Sequence, residues 1–147
     1  MIIIKVNALS KNITLEETWE LLSDIQKYNQ RVKFIRKVTL YTNAQGKYWE
    51  DITTVLWIPM KIKHKITSMK KNQEISYDVN LPLNGFMKQK FVLSKNDKNV
   101  FVEGTIDFDL RNKILNNTLG VILKKRLTEM LKYTFLNLGG EIYKIKT

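Results

Sequence analysis

The sequence predicts an α+β fold: a curved, seven-stranded antiparallel sheet wrapped around a long C-terminal helix, with two short helices between strands 1 and 2. Three observations predict it. The apolar run Ile2-Ile3-Ile4 is followed by a short stretch with helical spacing. From Phe34 onward the hydrophobic period changes to two and stays there for some seventy residues. The last long element, Asn112 to Leu138, returns to a helical stripe.

Taken in order, Ile2 to Leu9 reads as the first strand, and Lys5 interrupts it too early for a signal peptide's apolar region. Thr14 suits an N-cap, with Glu17 three residues on as its capping-box partner. Leu15, Trp19 and Leu22 follow at helical spacing, and Leu21 and Ile25 widen the stripe. Ser23-Asp24 offers a second cap, which predicts a separate short helix over Asp24–Gln30. Strands are expected at Phe34–Thr42, Lys47–Trp57, Met60–Met69, Glu74–Leu81, Phe86–Leu93 and Val100–Leu110. Turn-like separators such as Asn43-Ala44-Gln45-Gly46 and Pro82-Leu83-Asn84-Gly85 join them. Links this short connect antiparallel neighbours, so the six strands form a meander that pairs with the first. The final helix places Leu119, Ile122, Leu123, Leu127, Met130, Leu131 and Leu138 on one broad stripe, and Gly139-Gly140 ends it.

The 147 residues suit one domain, 1–147, with 44% apolar content and enough chain for a core without staples. Cysteine is absent and His64 is the sole histidine, which excludes disulfides, thiolate zinc sites and multi-histidine metal sites. No metal or cofactor is expected. Lys124-Lys125-Arg126 interrupts the longest apolar stretch and speaks against a membrane span; a cytoplasmic protein is the expectation. Lys and Arg total 25 against 14 Asp and Glu, a net charge of +11. The lysines are spread rather than clustered, which reads as a solvated surface; attraction to anionic lipid or RNA is the alternative.

Strand alternation assigns the faces. In Met60–Ile66, Met60, Ile62, His64 and Ile66 share one face, while Lys61, Lys63 and Lys65 share the other and must meet water. A tight link at Ile58-Pro59 would set Trp57 opposite Met60, Val55 opposite Ile62 and Thr53 opposite His64, with Asp51 diagonal to His64. A turn at Lys71-Asn72 places Ile75, Tyr77, Val79 and Leu81 inside and Asp78 beside Lys65 outside. The inner face thus mixes large apolar side chains with polar ones, which suits a ligand cleft.

The order of elements, with the stretches "WELLSDIQKYNQRVKFIRKV", "VEGTIDFDLRNKILNNTLG" and "LTEMLKYTFLNLGGEIYK", resembles the START-like, Bet v 1-like helix-grip superfamily (SRPBCC). Within it the chain is most similar to the coenzyme-Q-binding, polyketide cyclase-like group. It departs from that group in having no proline across Asn29–Lys33 and no tryptophan in the sixth strand, where Phe91 sits nearby. The resemblance implies a cavity between sheet and C-terminal helix that holds a small hydrophobic molecule, a lipid or an isoprenoid quinone. It also brings two alternatives: a polyketide cyclase or dehydratase type of enzyme, and a ribosome- or RNA-associated basic protein. A basic exterior also allows peripheral contact with an anionic membrane.

The expected ligand-binding residues are Trp49, Asp51, Thr53, Val55, Trp57, Ile62, His64, Tyr77, Val79, Met87, Phe91, Leu119, Ile122, Leu123, Arg126 and Met130. His64 is either a ligand or general-base group oriented by Asp51, or an inner-face histidine satisfied by Thr53 or Asp51. Arg126 falls within the helix's apolar stripe, so it must snorkel, pair with Asp51 or grip a polar ligand group. No catalytic motif fixes a second group, and no catalytic residue is assigned.

Overall fold

The computed structural model describes residues 1–32, 34–55, 58–137 and 140–146. Its strands are β1 (Ile2–Ser10), β2 (Ile35–Asn43), β3 (Gly46–Val55), β4 (Ile58–Lys70), β5 (Glu74–Asn80), β6 (Phe86–Asn96), β7 (Asn99–Asp109) and β8 (Gly140–Lys146). Helices α1 (Leu15–Ser23) and α2 (Tyr28–Arg31) lie between β1 and β2; α3 (Lys113–Asn117) and α4 (Leu119–Asn137) follow β7. The strands form one antiparallel sheet in the order β2-β3-β4-β5-β6-β7-β1-β8. The expected seven strands are all present as a meander closing on β1. An eighth, β8, adds to the outer edge of β1 and carries the chain back past the glycine pair.

The N-terminal helices follow their caps. Thr14 and Glu17 form the capping box: Glu17 N donates to Thr14 Oγ1 at 3.1 Å, and Thr14 N donates to Glu17 Oε2 at 2.8 Å. The stripe buries Trp19 and Leu22. The second helix differs from expectation. Asp24 makes no capping hydrogen bond and instead pairs with Lys27 at 3.2 Å and Arg31 at 3.8 Å. Without that cap the segment is a 3₁₀ turn over Ile25–Lys27 followed by the single turn of α2.

The β3–β4 hairpin holds a different register from the one expected. Val55 pairs with Ile58, so Thr53 lies opposite Met60, Asp51 opposite Ile62 and Trp49 opposite His64. The strand begins at Ile58 and takes Pro59 into the ladder. Pairing of β4 with β5 starts only at Lys63, so the missing N–H of Pro59 meets no second neighbour. The partner of His64 moves from Thr53 to Trp49, an even number of residues, so the described side chains keep their faces. Ile62 and His64 are buried, and Lys61, Lys63 and Lys65 are exposed. The β4–β5 hairpin has the expected register, with Lys65 opposite Asp78 and with Ile75, Tyr77 and Val79 buried. Trp57, Leu138, Gly139 and the side chain of Val55 lie outside the described residues.

The C-terminal helix starts as expected, with Asn112 Oδ1 accepting from Ile114 N and Leu115 N. It breaks at Thr118 (φ −112°, ψ −82°). The side chain of Asn116 is drawn away to the end of β7: its Oδ1 accepts from Leu110 N and its Nδ2 donates to Asp109, both at 2.9 Å. Beyond the break, α4 lays Leu131 and Phe135 against the sheet. Gly104 on β7 makes room for Phe135; a Cβ there would sit 3.1 Å from Phe135 Cζ and from Phe91 Cε1. Gly120 on α4 is likewise pressed to the sheet, 2.8 Å from Ile2 Cδ1 to where its Cβ would be.

Candidate functional site: a cavity between sheet and helix

Between the sheet and α4 lies a cavity of about 450 Å³. Its floor is the inner face of β3 to β6, its roof is α4, and the end of α1 together with α2 and the following loop forms one side. Of the expected residues, the structure brings Trp49, Asp51, Thr53, Ile62, His64, Tyr77, Met87, Phe91, Leu123, Arg126 and Met130 to the wall. Three others lie elsewhere. Val79 is fully buried in the core, Leu119 is half-buried, and Ile122 is 48% exposed. The reason is rotational: the arc of α4 that meets the sheet centres on Gly120, Leu127, Leu131 and Phe135, which turns Ile122 outward.

The wall also includes residues that sequence patterning did not select, among them Tyr28, Phe34, Thr54, Gln89 and Leu127. Gln89 was within reach, since it alternates with Met87 and Phe91 on an inner face. Tyr28 sits on a helix of one turn, where no periodicity exists to show its direction.

The polar wall groups form two clusters. In the first, the Trp49 and His64 rings stack face to face, with centroids 3.5 Å apart and planes 8° from parallel. Tyr77 meets both edge-on. Tyr28 donates its hydroxyl proton to the Leu22 carbonyl, which makes Tyr77 the donor in the 2.9 Å contact between the two hydroxyls. Asp51 Oδ2 lies 3.7 Å from His64 Nε2, beyond hydrogen-bond length. Burial pushes the Asp51 carboxyl up to about 7 and the His64 imidazole down to about 3, the latter opposed by the nearby carbonyls of Trp49 and Ile62. Both groups are therefore uncharged between those values, and the contact is a neutral pair rather than a salt bridge. Thr53 takes no part, because its hydroxyl donates to the Phe34 carbonyl at 3.0 Å.

The second cluster surrounds Arg126, which points into the cavity rather than to Asp51. Its guanidinium stacks on the Phe34 ring, 3.7 Å from the centroid, and Nη2 donates to the Thr54 carbonyl at 3.2 Å. Several buried polar atoms on the cavity wall have no hydrogen-bond partner: Trp49 Nε1, Asp51 Oδ1, Thr54 Oγ1, His64 Nδ1 and Arg126 Nε. Native interiors leave few such atoms, so their concentration around one space is informative. Among the described residues no group of three His, Cys, Asp or Glu side chains is placed to hold a metal.

The same architecture recurs in solved structures. A START superfamily protein from Mycobacterium smegmatis superposes with a TM-score of 0.73 at 13% identity, over 93% of this chain and 94% of that one. Ara h 8.0201 gives 0.68 at 10% identity, over 91% and 95% of the two chains. This chain has the START/Bet v 1-like helix-grip fold. A third helix-grip protein, the Zhui aromatase/cyclase from Streptomyces sp. R1128, gives 0.74 at 13% identity over 91% of each chain. Neither protein-family profiles nor curated proteins yield a match to the sequence. Among the described residues no helix is long and apolar enough to cross a membrane.

Proposed function

We propose that residues 1–147 form one ligand-binding domain that carries a small hydrophobic molecule, a lipid or an isoprenoid quinone, without transforming it. The observation that carries this reading is the cavity: about 450 Å³, largely apolar, with unpartnered polar atoms in its wall. Apolar lining supplies affinity; a ligand that buries roughly 200 Å² of apolar surface gains about 5 kcal/mol before ordering costs. The unpartnered atoms would set its orientation, because a ligand that satisfies them recovers the cost of leaving them unmade. The exposed Lys61, Lys63 and Lys65 support peripheral docking to an anionic membrane, at about 1 kcal/mol for each well-placed lysine. Such a carrier would work in the cytoplasm. The test is to extract the purified protein with organic solvent and to titrate it with a short-chain ubiquinone analogue. A retained apolar molecule and a raised melting temperature are expected; an empty extract with no thermal shift would overturn the reading.

A second reading, a cyclase or dehydratase type of enzyme, is favoured by one observation. Asp51 and His64 lie 3.7 Å apart with their pKa values driven in opposite directions, which is how one site obtains an acid and a base. His64→Ala would then abolish turnover while leaving ligand binding intact. The basic surface would equally serve an RNA or ribosome contact; binding that vanishes between low and physiological salt would mark it as nonspecific.

A further inference from the structure

Arg126 is a cation on the wall of an apolar cavity, and no carboxylate pairs with it among the described residues. The other wall cation, Arg31, has Asp24 at 3.8 Å and donates to the Leu21 carbonyl. Asp51, a carboxyl group of the wall, lies against His64 instead. Arg126 is held in place nonetheless. The Phe34 ring fixes the plane of the guanidinium, and the Thr54 carbonyl ties down Nη2. This leaves the Nε–H buried without a partner. A fixed positive charge without a carboxylate, on the wall of an apolar space, is complementary to the carboxylate of an apolar acid. A phosphate would bring further oxygens and more charge than this one guanidinium satisfies.

We propose that Arg126 anchors the carboxylate of a hydrophobic acid whose apolar part fills the cavity. This rests on the ligand-binding reading above and narrows it from neutral lipids and quinones to anionic amphiphiles. Isothermal titration of the whole chain with decanoate and with decanol tests it, since the two differ only in the head group. Decanoate is expected to bind about tenfold more tightly, the value of hydrogen bonds to a charged group. Arg126→Gln should remove that preference, so that decanoate binds no more tightly than decanol. Equal affinity for the two ligands in the unmodified protein would overturn the proposal, whether or not Arg126→Gln folds. If neither binds but the ubiquinone analogue does, the anchor is wrong and the cavity reading stands. If no apolar probe binds, both fall.

Discussion

Replacing Asp51 with asparagine should change how stability depends on pH, and the sign follows from where protons sit. Asp51 ordinarily titrates at 3.8 and is held at about 7 in the folded protein. Between about pH 4 and 7 the native state keeps a proton on this carboxyl that the unfolded chain has lost, so the Asp51 contribution to stability falls as pH rises through that window. The shift spans about three pKa units, or on the order of 4 kcal/mol at 1.4 kcal/mol per unit. His64 works the other way. It is held at about 3 against an ordinary 6.5, so its contribution is lost as pH drops from about 6.5 to 3. From about pH 4 to 6.5 each state carries one proton, on Asp51 when folded and on His64 when unfolded, and the two slopes cancel. Asp51→Asn removes one slope only. The variant should gain stability between pH 4 and 6.5, where the parent is level, and should keep that gain above pH 7. Urea unfolding followed by far-UV circular dichroism from pH 4 to 8 measures it. The difference between variant and parent should grow by about 4 kcal/mol over that range. Parallel curves would refute the argument that Asp51 is buried and neutral.

Gly104→Ala should destabilise by about 1–3 kcal/mol in urea unfolding, because the added methyl meets the Phe91 and Phe135 rings at 3.1 Å. Phe135→Ala should cost about 3–5 kcal/mol in the same assay, since the side chain is fully buried between α4 and the sheet. Thr14→Ala removes one half of the capping box and should cost about 1 kcal/mol, read as a lower melting temperature.

Features carried by a single strand or a single cap were readable in the sequence. The alternation of Lys61, Lys63 and Lys65 with Ile62 and His64 determined which face is wet, and Thr14 with Glu17 determined where α1 begins. Features that depend on two segments meeting were not. The β3–β4 register turned on whether Pro59 ends a turn or joins a strand, and only the late start of β5 pairing permits the second. The break at Thr118 arises because Asn116 bonds to the end of β7, although Asn116-Asn117-Thr118 is a weak helix stretch that could have signalled it. The strand β8 lies beyond the glycine pair, and its pairing is with β1 at the other end of the chain, which no local pattern shows. In the cavity, strand residues such as Trp49, His64 and Tyr77 were found from their parity. Phe34 and Thr54, which hold Arg126, were not found, since their role exists only once α4 lies over β3.

Native mass spectrometry of the freshly purified protein, kept free of detergent, tests most directly whether the space beneath α4 is a ligand chamber. The expected species is heavier than the 17.3 kDa polypeptide by one organic molecule of roughly a few hundred daltons, lost on denaturation and displaced by decanoate. The bare polypeptide mass, unchanged after incubation with decanoate, decanol and the ubiquinone analogue, would contradict it.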